Sequence, residues 1–129
     1  MRSMPSMPRI RQICIVLPIH FARYYPASLL LNFSGCNIEN CAYGVTICAE
    51  RTALAKAVSE GHLHFKALAI CSDGDEICAP CGQCRQFMIE FGDFDVYLVN
   101  ETKKKSKVYT VRSLLPSAFT SADLKNPKV

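Results

Sequence analysis

Cys48-Ala49-Glu50-Arg51-Thr52-Ala53 and, further along, Pro80-Cys81-Gly82-Gln83-Cys84 are the stretches whose reading decides this chain. They offer three thiols to one metal ion and leave a carboxylate, Glu50, two residues after the first of them. Zinc held by three protein groups keeps a fourth position for water, and such open sites are catalytic, whereas closed four-ligand sites are structural. Water at that position loses a proton near neutral pH. A carboxylate within reach can then carry protons, given a pKa near the working pH. The competing arrangement is a closed four-cysteine site that adds Cys78, Cys36 or Cys41, and Cys78-x-x-Cys81-x-x-Cys84 continues the same step. That arrangement gives Glu50 no task beyond complementing a helix dipole from solvent.

Working outward, both motifs open helices. In residues 45–61, Ala49, Ala53, Leu54, Ala57 and Val58 recur at helical spacing, and Gly61 is a stop signal. Pro80 precedes a second helix with apolar positions Cys84, Phe87, Met88 and Phe91, ended by Gly92. Between them Phe65 to Cys71 reads as a buried strand, followed by a turn at Ser72-Asp73-Gly74-Asp75. Asp95 to Val99 and Lys107 to Val111 read as further strands. Strands alternating with helices predict an α/β fold with a layered sheet. Cys48 then stands at or near one helix start, and Cys81 and Cys84 in the first turn of the next. Helix starts favour the thiolate form. Three thiolates around Zn²⁺ leave an excess negative charge, which Arg51 is placed to offset; otherwise Arg51 is a surface helix residue in an ordinary ion pair.

With 129 residues the chain is expected to be a single domain, 1–129. Half of the residues are hydrophobic and a fifth charged, an ordinary globular balance. The net charge of +4 is modest, and Lys103-Lys104-Lys105 is a short run that reads as a solvated turn, so no nucleic-acid partner is expected. Eight cysteines would suggest disulfides in a small secreted chain, but metal-ligand spacing argues for reduced thiols and a cytoplasmic location. Cys71 lies in an apolar run and reads as a small core residue. No apolar run is long enough to span a bilayer, and no membrane partner is expected. Residues 1–38 carry Arg2, Arg9, Arg11 and Arg23 without an acid, and Ile13 to Ile19 is apolar but interrupted by Pro18. A transit or signal sequence is a weak alternative there, with no clear cleavage site.

From Phe33 to Leu124 the chain resembles the small homotetrameric cytidine deaminases, zinc-dependent members of the cytidine and deoxycytidylate deaminase superfamily. The resemblance runs through Ser34-Gly35-Cys36-Asn37-Ile38-Glu39-Asn40, Tyr43, Cys48-Ala49-Glu50-Arg51-Thr52-Ala53 and Lys56-Ala57-Val58-Ser59-Glu60-Gly61. It continues through Pro80-Cys81-Gly82-Gln83-Cys84-Arg85-Gln86 and Leu114-Leu115-Pro116-Ser117-Ala118-Phe119. It implies a three-layer α/β/α fold with a mixed sheet of about five strands. It implies one Zn²⁺ per chain on Cys48, Cys81 and Cys84, with Glu50 moving protons to ring N3 and to the leaving amino group. Asn37 and Glu39 would meet the ribose, the backbone of Ala49 the base carbonyl, and Arg51 the zinc thiolates. Tyr43 and Phe119 would lie near subunit boundaries of a homotetramer and help to complete the nucleoside pocket. The implied reaction is hydrolysis of cytidine and deoxycytidine to uridine and deoxyuridine with release of ammonia, a step of pyrimidine salvage.

Residues 1–31 depart from the family pattern. The usual first helix, and the strand with Pro-Tyr-Ser-x-Phe-x-Val-Gly-Ala-Ala-Leu that brings a phenylalanine to the pyrimidine, are not found there. The first helix and strand are therefore expected to be missing or altered and residues 1–31 atypical, with disorder one expectation and a partial substitute strand at Tyr24 to Leu31 another. Cys78-Ala79-Pro80 replaces the usual serine before the proline, and Cys41 the usual alanine. These departures keep two other readings open. One is a catalytically impaired isoform that binds zinc and joins mixed tetramers. The other is a deaminase of a cytosine-nucleoside antibiotic.

Overall fold

The computed structural model describes the backbone of residues 12–18 and the whole of residues 32–124. Five strands form one sheet in the order β2-β1-β3-β4-β5: β1 (Gln12–Pro18), β2 (Phe33–Cys36), β3 (Phe65–Ser72), β4 (Asp95–Asn100) and β5 (Lys105–Thr110). The sheet is mixed. β1 runs antiparallel to β2 and to β3, β3 is parallel to β4, and β4 is antiparallel to β5. Helix α1 (Ala49–Ser59) connects β2 to β3, and α2 (Gly82–Ile89) makes the crossover from β3 to β4 that a parallel pair requires. Short helices α3 (Val111–Leu114) and α4 (Ser121–Leu124) follow β5. The α/β class and the five-strand mixed sheet agree with expectation.

The core forms on one sheet face. Leu68 pairs with Val96 and Ile70 with Leu98, so the four side chains share that face, and all are buried. Ala53, Leu54 and Ala57 of α1 and Met88 and Cys84 of α2 close over them. The small residues at 49, 53 and 57 let α1 lie close to the sheet. Gly61 (φ 91) and Gly92 (φ 104) take left-handed backbone just past α1 and α2, the stop expected of both. Cys71 is only half-buried, because it alternates away from this face; its reading as a core residue is corrected.

In the N-terminal stretch, where the first helix and strand were expected to be missing or altered, residues 12–18 form an inner strand paired along both edges. Ile13, Ile15 and Val16 are β-branched and suit extended backbone, and an empty slot would leave the edges of β2 and β3 unpaired. Pro18, which has no N–H to give to a ladder, ends the strand where its register against β3 shifts. The suggested substitute strand at 24–31 lies outside the described residues.

The first helix begins later than its apolar periodicity implied. Tyr43–Val45 form a single 3-10 turn, and Ile38 and Ile47 exchange two backbone hydrogen bonds, of 2.8 and 3.0 Å. This bridge holds residues 46–48 extended and delivers Cys48 to the N-cap of α1. The last strand is two residues longer at its start than expected, and Val111 leaves it to open α3, which Thr110 and Ser113 cap reciprocally.

Candidate metal centre and active site

Cys48 is the N-cap of α1 and Cys81 the N-cap of α2, both with extended backbone, and Cys84 lies in the first turn of α2. Two helix starts therefore bring three thiols to one point. Cys48 Sγ lies 3.8 Å from Cys81 Sγ, and Cys81 Sγ lies 3.5 Å from Cys84 Sγ; all three fall within 4.8 Å of one another. A tetrahedral zinc with bonds of about 2.3 Å sets its sulfurs about 3.8 Å apart, so this cage has the size of a zinc site. Among the described residues no fourth Cys, His, Asp or Glu joins the group. Cys36, Cys41 and Cys78 stand outside it, which counts against the closed four-cysteine arrangement.

Glu50 is 1 % exposed, and its Oε2 is buried without a hydrogen-bond partner. A carboxylate oxygen in that condition is costly unless something polar meets it on binding. Burial pushes the Glu50 carboxyl above its ordinary range, against smaller opposing effects of hydrogen bonds and the Arg51 charge. The shift moves it toward the range a proton carrier needs.

The thiols do not behave alike. Burial raises Cys48, with the charge of Cys81 adding to it and the Arg51 hydrogen bond opposing it. Burial, the Glu50 charge and its sulfur neighbours push Cys84 far up. Only Cys81 is lowered: burial works against it, but N–H groups of Cys84 and Gln83 at the helix start, together with the neighbouring thiols, outweigh burial. The expectation that helix starts depress these thiols thus holds at Cys81 and is overridden at Cys48 and Cys84 by burial, with neighbouring charges adding to it. A cation held among them reverses that balance, since coordinated thiols give up their protons. Arg51 Nη2 donates to Thr46 O at 3.1 Å and reaches Cys48 Sγ at 3.9 Å. Partial burial works against its charge, but the thiols of Cys48 and Cys84 more than compensate and raise its pKa.

Asn37 lies just beyond β2, and its Oδ1 accepts the N–H of Ala49 at 2.9 Å. Two residues assigned to the nucleoside by resemblance therefore meet each other at the start of α1. Glu39, Tyr43 and Phe119 are exposed in the single chain, Tyr43 by 81 % and Phe119 by 59 %. A groove of about 800 Å³ runs along α2 between Arg51, Gly44, Phe87 and Phe91; its wall includes Arg51 but not Glu50.

The profile described as the cytidine and deoxycytidylate deaminase zinc-binding region matches residues 31–100, the span that holds the thiols, Glu50 and Asn37. The chain belongs to the cytidine and deoxycytidylate deaminase family. A probable cytidine deaminase of Dictyostelium discoideum is 52 % identical over 93 residues, covering 71 % of this chain and 63 % of that protein. A cytidine deaminase of Sporosarcina psychrophila is 52 % identical over 94 residues, covering 71 % and 68 %. The crystal structure of cytidine deaminase from Burkholderia pseudomallei superposes with a TM-score of 0.74 at 34 % identity, over 89 % of this chain and 86 % of that one. The cage in this deaminase-family chain is thus a zinc-binding region, with Cys48, Cys81 and Cys84 the group able to hold the ion.

Several residues that shape the site carried no role in the sequence reading. Asn100 is fully buried, and its Nδ2 donates to Gly74 O at 2.7 Å and Glu76 O at 3.1 Å, in the loop that leads to Cys81. Arg85 Nε donates to Pro80 O and Nη1 to Leu114 O, each at 2.8 Å. Gln86 Nε2 donates to Phe119 O at 2.7 Å. The signal for the last two was their place directly after the C-x-x-C pair, at the end of a stretch that carries the resemblance.

Proposed function

We propose that this chain is a hydrolase that removes the amino group from the cytosine ring of free cytidine and deoxycytidine, giving uridine and deoxyuridine with ammonia. The carrying observation is the buried Glu50 carboxylate, with an unpaired oxygen, beside a three-thiol cage without a fourth protein ligand among the described residues. Cys48, Cys81 and Cys84 would hold a zinc ion, which would supply Lewis acidity and make a bound water more acidic. Glu50 takes the first proton of the attacking water and delivers it to ring N3, then takes the second from the resulting C4 hydroxyl and gives it to the amino group, so that the C4 carbonyl forms as the C–N bond breaks and ammonia leaves. The Ala49 N–H holds the base carbonyl after exchanging its Asn37 partner, while the Asn37 amide and Glu39 carboxylate pair with ribose hydroxyls, which both donate and accept. Arg51 offsets the negative charge of the thiolates.

The protein acts as a single-domain subunit of a homotetramer, in the cytoplasm, in pyrimidine salvage. The exposed apolar side chains Ile38, Tyr43, Val45 and Phe119, and the groove along α2, support burial against further copies. An inner strand at Gln12–Pro18 weakens the impaired-subunit alternative, which rested on the atypical N-terminal stretch.

The test is to purify the chain, measure zinc per chain and follow the loss of cytidine absorbance, with Glu50→Gln beside it. About one zinc per chain and turnover that falls by roughly 100-fold to 10,000-fold in the variant are expected. Zinc without turnover would favour the impaired subunit, and turnover indifferent to Glu50→Gln would remove the proton carrier.

A further inference from the structure

The C-terminal segment after α3 is gripped by the helix that bears two of the thiols. Arg85 and Gln86 directly follow Cys84, and successive helix residues point about 100° apart, so the two side chains leave α2 in different directions. Arg85 folds back over the helix start, where one guanidinium bonds both the Pro80 carbonyl, next to Cys81, and the Leu114 carbonyl that ends α3. Gln86 reaches the Phe119 carbonyl. Between these two grips Ser117 adopts left-handed backbone (φ 54), which bends the segment back toward α2. Leu114 is anchored in the core, but the Phe119 ring is 59 % exposed in the single chain, so within one subunit its place comes from its backbone more than from packing.

We propose that Gln86, aided by Arg85, is a positioning residue: it fixes the segment Leu115–Thr120 to the metal-bearing helix, so that α2 sets both the thiols and the location of Phe119. The role in binding rests on the reading that Phe119 borders the nucleoside pocket. A guanidinium fork suits the two carbonyls at Pro80 and Leu114, which no lysine can join with the same geometry. The single amide of Gln86 is the tunable contact, being exposed and outside the core.

The experiment compares the full chain with Gln86→Glu, which keeps shape but loses the donor, and Gln86→Lys, which restores one. Zinc per chain, hydrogen exchange of peptides covering 115–124 and steady-state cytidine deamination are measured. In Gln86→Glu, zinc stays at the wild-type ratio, exchange in that segment rises and KM rises by about fivefold, the loss of one hydrogen bond, with kcat little changed. Gln86→Lys falls between. Unchanged exchange in 115–124 would overturn the grip, and faster exchange with unchanged KM would overturn its role in binding. Loss of zinc from a folded Gln86→Glu would overturn it too, since the effect would then run through the metal. A wild-type chain that does not deaminate cytidine counts against the proposed function, while the exchange arm still decides the grip.

Discussion

Asn37 Oδ1 accepts the backbone N–H of Ala49 at 2.9 Å, tying the end of β2 to the first residue of the helix that carries Glu50. The first N–H groups of a helix have no partner within it, and Cys48, the N-cap, makes no capping side-chain bond of its own. Asn37 does that work from a distance in sequence. Asn37→Ala is expected to lower stability by about 1 kcal/mol in urea denaturation, the value of a lost cap. It should also raise KM for cytidine, because the same amide is assigned to the ribose. A KM rise without a stability loss would mean that the Ala49 bond contributes little to the fold.

Glu50 sits in the core with one unpaired oxygen. Glu50→Gln keeps its shape and removes the desolvated charge, so thermal stability should hold or rise while kcat falls steeply. Stability and activity moving in opposite directions is the mark of a group kept for chemistry. Differential scanning calorimetry and turnover on the same preparation check this.

Cys84 belongs both to the thiol group able to hold the metal and to the core, being fully buried. Cys84→Ser should abolish zinc retention in metal analysis and lower the melting temperature, through lost metal linkage and a buried hydroxyl. Cys78→Ser should leave zinc at the wild-type ratio, since Cys78 is not in the thiol group. Zinc lost equally from both variants would restore the four-cysteine arrangement.

Gly35 passes directly against α1. A Cβ there would lie 2.5 Å from Ala53 N and 2.8 Å from Ala49 O, both backbone atoms that cannot swing aside. Gly35→Ala should therefore force β2 and α1 apart and destabilise by about 2–3 kcal/mol, the upper range for overpacking. Ala49 and Cys48 move with α1, so zinc affinity should fall in chelator competition as well.

Asn100 closes β4 by holding Gly74 O and Glu76 O, and its Oδ1 accepts the N–H of Lys103 at 2.8 Å. Asn100→Ala removes a buried side chain and three part-buried hydrogen bonds, at a cost of about 1–3 kcal/mol. The loop it releases leads to Cys81, so faster zinc loss to a chelator is the expected signature. Unchanged zinc kinetics would confine Asn100 to a purely structural task.

What was legible beforehand was local. Periodicity and the glycines at 61 and 92 marked α1 and α2, because an amphipathic stripe and a left-handed stop are properties of adjacent residues. The spacing of Cys48, Glu50, Cys81 and Cys84 announced the metal centre for the same reason: two helix starts need only a few residues each. Tertiary structure alone decided the rest. Gln12–Pro18 became an inner strand not through any strong pattern of its own but because β2 and β3 each present an edge whose backbone groups need partners. The raised thiols of Cys48 and Cys84, the Asn37–Ala49 bond and the grip of Gln86 on Phe119 join residues far apart in sequence. Burial and through-space contact set them, and neither can be read from a neighbour along the chain.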